Sequence, residues 1–71
     1  MRFEEALQAM REGKRIIKKD LPVYKYDIVD GKIWKEYPDF LDNIIYMPNA
    51  AFPCSDILSE DWEVVEDELQ F

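Results

Sequence analysis

With 71 residues, 48% of them hydrophobic and ten of them aromatic, the chain has apolar material for one folded domain and too little for two. It is too apolar to stay disordered, whatever its net charge of -7. One cysteine, Cys54, and no histidine exclude an internal disulfide, a four-ligand Cys/His zinc site and the usual general base at neutral pH.

In chain order, FEEALQAMREG places Phe3, Ala6, Leu7 and Met10 at the i, i+3, i+4, i+7 spacing of an amphipathic helix. Glu4 and Glu5 in the first turn and Arg11 in the last complement the helix dipole, and Gly13 suits a left-handed stop. Ile16 and Ile17 read as a short strand leaving the helix. Val23 to Val29 and Lys32 to Tyr37 then flank Asp30-Gly31, a pair suited to a tight hairpin turn. One face of this hairpin gathers Tyr24, Tyr26 and Ile28, the other Val23, Lys25, Asp27 and Val29, which predicts a sheet with one wet side.

PDFLDN reads as a loop, IIYM (44–47) as a strand and PNAAFPC as irregular chain. Ser55 is expected to cap a short helical turn, with Asp56 and Glu60 beside its positive end and Ile57, Leu58 and Trp62 facing inward. Trp62 and Val64 alternate as a last strand, and the tail 66–71 is expected to fray. Residues 1–71 are therefore predicted to form a single α+β domain. Its N-terminal helix packs on a mainly antiparallel sheet, with a short helical turn near the C-terminus.

No apolar run approaches the roughly 20 residues that span a bilayer, and MRFEEALQAM lacks the apolar segment of a signal peptide. With a lone thiol, these features predict a cytoplasmic protein that does not enter a membrane. All nine basic residues lie between Arg2 and Lys35, whereas residues 38–71 hold nine acids and no base. Either the two parts are solvated faces that attract one another, or the basic part carries a local anion site. Duplex nucleic acid is not an expected partner, because that mode needs many cation to phosphate contacts and the overall sign is wrong.

Catalysis finds little support. Cys54 has no imidazole to activate it, and acid pairs such as Asp56 and Asp61 arise by chance among sixteen acids. No D-x-D-x-D-G loop is present, and Gly13-Lys14 lacks the frame of a phosphate loop. The chain is expected to be no enzyme, to hold no metal and to need no cofactor. Passive binding remains: aromatic faces beside a cation make a nucleotide pocket without catalytic groups. Tyr24, Tyr26, Trp34, Tyr46 and Phe52 offer faces; Arg15, Lys18 and Lys19 offer charge.

FEEALQAMREGKRI and FPCSDILSEDWEVVE together resemble the phage family of Thoeris anti-defence protein 2. Members of that family look like F-x-E-A-L-x-x-L-x-x-G-K-x-V at the start and W-x-P-x-x-x-D-I-L-A-x-D-W-E-x-V at the end. Phe3, Glu5, Ala6, Leu7, Gly13, Lys14 and Ile16 fit the first motif. Pro53, Asp56, Ile57, Leu58, Asp61, Trp62, Glu63 and Val65 fit the second, with a gap change near the proline and Phe52 in place of a tryptophan. The resemblance implies a homo-oligomer, a dimer or tetramer, in the cytoplasm of an infected bacterial cell. Its pockets would sequester a cyclic nucleotide messenger, a cyclic ADP-ribose isomer or a cyclic oligonucleotide, without cleaving it.

On that reading Arg15 is the expected phosphate contact, Tyr26 and Phe52 stack on the ligand, and Asn49, Ser55 and Asp56 meet ribose or base edges. Asp56 is expected to serve as a cap first and a ligand contact second. The competing expectation is an acidic protein-protein inhibitor, whose base-free second half covers a basic surface on a host defence enzyme.

Overall fold

A computed structural model describes residues 1–65 of the chain; the tail expected to fray lies outside the described residues. The elements run α1 (Phe3–Arg11), β1 (Ile16–Lys18), β2 (Leu21–Val29), β3 (Lys32–Pro38), β4 (Ile44–Met47), α2 (Cys54–Ile57) and β5 (Trp62–Val64). The strands form one antiparallel sheet in the order β4-β3-β2-β1-β5. The α+β architecture predicted from periodicity is the one observed.

Glu5 anchors the start of α1, where its carboxylate accepts the Arg2 backbone N–H at 2.8 Å. Gly13, at φ 89°, releases the chain from the helix end. The apolar stripe of α1 buries Ala6, Ala9 and Met10 against Ile16 and Trp62, with Phe3 and Leu7 packed on this cluster. Ala9 joins the four stripe residues read from the sequence because the apolar arc is wider than a strict i, i+3, i+4 row.

The turn between β2 and β3 has Asp30 at φ 55° and Gly31 at φ 73°, the paired left-handed geometry of a type I′ hairpin. A two-residue turn sets the register, so Val29 faces Lys32, Ile28 faces Ile33, Asp27 faces Trp34 and Tyr26 faces Lys35. Tyr26, Ile28 and Ile33 thus lie on the face that packs against the core, as the strand alternation predicts. Continuing across the sheet, Ile16 pairs with Tyr26 and with Val64, and Lys35 pairs with Met47. The helix-bearing face therefore carries Trp62, Val64, Ile16, Tyr26, Ile28 and Ile33 under α1, and Tyr24, Lys35, Tyr37 and Met47 beyond it.

The C-terminal turn departs from expectation. Helix α2 starts at Cys54 with Pro53 at its N-cap, so Ser55 sits exposed inside the helix and caps nothing. Ile57 and Leu58 face outward, at 44% and 76% exposure. Four residues are too few to present a buried stripe, so the turn is held through polar groups instead. The Trp62 indole N–H donates to the Asp56 carbonyl at 3.0 Å, and the Asp56 carboxylate meets the Lys18 ammonium at 3.2 Å. Asp56 is a clamp to β1 more than a cap. Trp62 itself is fully buried, as expected.

Candidate functional site

Two surface grooves formed by described residues both have the wrong character for an anionic ligand. The larger of the two, about 420 Å³ between α1 and β5, is lined by Glu4, Glu5 and Glu12 with Lys14 as its one cationic side chain. The smaller, about 220 Å³, lies between Arg2 and the Ile57–Glu60 segment. None of the six residues expected to bind ligand lines either groove.

Those six residues do not form one site. Tyr26 and Phe52 come together, ring centroids 4.9 Å apart, and both rings touch Trp62, at 5.9 and 5.7 Å. Phe3 closes the cluster at 5.2 Å from Phe52 and 5.5 Å from Trp62. Asp56 adjoins this group through its carbonyl, which accepts the Trp62 indole N–H, while its carboxylate is paired with Lys18. Burial pushes the Tyr26 hydroxyl above the usual tyrosine range, with the negative field of Asp56 adding to the effect. Tyr26 therefore stays a neutral hydroxyl, able to donate as well as accept.

Arg15 lies elsewhere. It precedes Ile16, whose side chain is buried under α1, and strand alternation turns Arg15 to the opposite face. There its guanidinium donates to the Glu36 carboxylate at 2.9 Å. Asn49 is exposed and turns the chain after β4 at φ 59°, a left-handed conformation that asparagine tolerates. The next residue, Ala50, donates its N–H to the Ile33 carbonyl at 2.9 Å, which returns the chain to the sheet. Ser55 is exposed on α2.

Beyond Tyr26, the same face carries a group the six residues do not include. The Tyr24 and Tyr37 rings meet edge to face at 5.3 Å, and the Lys35 ammonium stands over both, 5.0 and 5.5 Å from their centroids. Tyr37 adds a contact from its hydroxyl to the Met47 sulfur at 3.5 Å. No carboxylate pairs with Lys35 among the described residues. Lys18, by contrast, is held by Asp20 at 3.1 Å and Asp56 at 3.2 Å. Its pKa is raised, first by the bond to Asp20, so it stays charged and committed to those acids.

The signal for this second group was present in the hairpin. A two-residue turn at Asp30-Gly31 places Lys35 opposite Tyr26, and the same register carried outward sets Tyr37 beside Tyr24. Together Tyr24, Tyr26, Lys35 and Tyr37 make a shelf of aromatic surface with one ammonium set among ring faces. Such a shelf can stack a planar ring and meet a phosphate with a charge-assisted bond.

No family model, curated protein or solved structure matches this chain.

Proposed function

We propose that this protein is a non-catalytic sponge that binds a cyclic nucleotide messenger and withholds it from a bacterial immune effector. The observation that carries the reading is Lys35, an ammonium held by two tyrosine rings and by no carboxylate among the described residues, beside the Tyr26–Phe52 pair. A phosphate draws such a cation at less cost than one already in an ion pair, because no salt bridge has to break. The resemblance of the two terminal segments to the Thoeris anti-defence protein 2 family supports the same reading. So does the absence of histidine from the sequence, which removes the usual general base at neutral pH. The protein would act in the cytoplasm of the infected cell as a homo-oligomer. Mass action alone lowers the free messenger, so affinity and abundance matter and turnover does not.

Thermal melting against a panel of cyclic oligonucleotides and cyclic ADP-ribose isomers tests this. At a ligand concentration one hundred times Kd, binding stabilises the fold by about 2.7 kcal/mol, a rise on the order of 10 °C for a domain this small. The bound compound, released by heat, should have the mass of the compound added. A panel that moves no melting temperature, or a ligand recovered with a bond cleaved, contradicts the proposal.

A second reading draws on the loop between β3 and β4. Asp39 holds this loop by accepting the backbone N–H groups of Leu41 and Asn43 at 2.8 and 2.9 Å, and Phe40 and Leu41 project at 93% and 68% exposure. A preorganised apolar tip between two acids, Asp39 and Asp42, is the form of a plug for an apolar pocket with a basic rim, as an inhibitor of a defence enzyme would need. Phe40→Ala separates the two readings: it leaves nucleotide binding intact if the shelf is the site, and abolishes inhibition if the tip is.

A further inference from the structure

The sheet has two edge strands, β5 and β4, and their outward backbone groups fare differently. On β5 these groups belong to Trp62. Its carbonyl accepts from the Met1 nitrogen at 2.7 Å, and its N–H donates to the Met1 carbonyl at 3.3 Å. That edge is closed. On β4 the outward groups follow from register. The two-residue turn makes Val29 and Lys32 a hydrogen-bonded pair, so bonding alternates along β3 and its Ile33, Lys35 and Tyr37 turn their backbone groups toward β4. Two further bonds keep this phase: Ala50 N–H to the Ile33 carbonyl at 2.9 Å, and Asp39 N–H to the Asn43 carbonyl at 2.8 Å. Ile45 and Met47 therefore bond inward, and the N–H and C=O groups of Ile44 and Tyr46 point out of the sheet. Among the described residues nothing donates to them or accepts from them.

β4 also carries none of the charges, prolines or bulges that blunt an edge. Ile44, Tyr46 and Met47 are 48%, 61% and 46% exposed. We infer that β4 is a docking edge for an extended segment of another protein, which adds as a sixth strand, is apolar at alternate positions and ends in Lys or Arg. Four outward main-chain groups hold such a guest, and side chains on both sides of the sheet select it. Antiparallel addition continues the pattern of every pair in the sheet. It lays the C-terminal end of the guest beside the start of β4, where Asp42 is exposed and has no ion pair among the described residues.

Charge selects this occupant. Residues 38–71 hold nine acids and no base, so neither the β4 of a second copy nor the end of this chain brings a cation to Asp42. Pairing β4 with itself, Ile44 against Tyr46, would set Asp42 of each copy opposite Pro48 of the other, and proline has no N–H to give. Docking at β4 also differs from insertion of the Phe40–Leu41 tip, because its bonds come from strand main chain. It goes beyond the nucleotide reading and does not rest on it.

Amide NMR on the full chain, titrated with three synthetic peptides blocked at both ends, tests the assignment. Each reads Thr-X-Thr-X-Thr-Lys-Arg, with X as Val, Leu or Phe, and each has a copy ending in Glu-Glu. At least one Lys-Arg peptide is expected to shift the Ile44 and Tyr46 amides with a Kd below about 1 mM, and its Glu-Glu copy to bind about fivefold more weakly or worse. Asp42→Asn keeps a residue that tolerates φ 63° and should narrow that gap to about twofold or less. Methylating the peptide nitrogens that face β4 should abolish the shifts without any change to the protein. Tyr46→Pro should do the same from the other side, since an edge strand tolerates proline where its N–H faced outward. The inference is overturned by peptides that move neither amide, by equal affinity for the Lys-Arg and Glu-Glu copies, or by a gap that survives Asp42→Asn. Shifts at Ile44 and Tyr46 that follow protein concentration without peptide would overturn it too, by placing a second copy on the edge. Cyclic nucleotide binding is read separately at Lys35, so failure of either reading leaves the other standing.

Discussion

Lys35 shows how one position on a strand decides what a cation can do. Its neighbour Glu36 points to the opposite face of the sheet and takes Arg15, while Lys35 points to the tyrosines and meets ring faces. Cation to ring contacts at partly exposed sites are worth only about 0.5–1 kcal/mol, so a phosphate displaces them readily. Trp62 plays the opposite role, buried completely and bonded to Asp56 through its indole N–H. Trp62→Ala should cost about 3–5 kcal/mol and unfold so small a domain, read as loss of the cooperative melt. Among the described residues Asp27 is the one carboxylate whose pKa the fold raises, through burial first, with Arg15 opposing and Glu36 adding to it. A raised carboxylate pKa means the folded state disfavours its charge, so the penalty is present at neutral pH and fades as pH falls through the folded value. Asp27→Asn should therefore raise the melting temperature slightly at pH 7 and leave it unchanged near pH 3.

Among the elements, the β2–β3 hairpin was the most legible, because Asp30-Gly31 dictates turn type and register together. Gly31→Ala should destabilise the domain by about 1 kcal/mol, since alanine resists the positive φ, and equilibrium urea unfolding will measure it. Helix α1 was equally plain from its apolar spacing. The turn at α2 misled, as Ser55, Ile57 and Leu58 show: a four-residue helix has no periodicity to read, and its anchors are long-range bonds from Lys18 and Trp62. The same limit applies to the site. Tyr26 lies on a strand whose alternation places it, and its partner Phe52 comes from irregular chain. Asn49 and Ser55 sit where no pattern exists. Arg15 was misplaced for want of one step, that a core Ile16 turns its neighbour to the other side of the sheet.

For the whole molecule, a small core has to support a charged chain. Five of the described residues are buried, Ala6, Ala9, Met10, Ile16 and Trp62, so contacts at the margin weigh heavily. Two groups at that margin, Tyr26 and Lys18, titrate at high pH. Tyr26 has a raised pKa through burial, and Lys18 through its bond to Asp20, so both hold their neutral-pH forms longer in the fold than in the unfolded chain. The stability they contribute is complete below the unfolded values near 10 and is lost as pH climbs past them. Melting temperature should stay level from about pH 7 to 9 and drop above about pH 10, with Tyr26→Phe flattening the drop.

The sponge reading is tested most directly by calorimetric titration of a cyclic nucleotide into the wild type and into Lys35→Gln, with the ligand recovered and weighed by mass spectrometry afterwards. Loss of the phosphate contact at Lys35 should weaken binding about tenfold or more, on the scale of a charge-assisted bond worth about 1.5–3 kcal/mol, while the unliganded variant still melts cooperatively, at a temperature lowered by only about 2–8 °C for the lost ring contacts. The recovered ligand should be intact. Equal affinity in the two proteins, or a ligand altered in mass, would contradict the account.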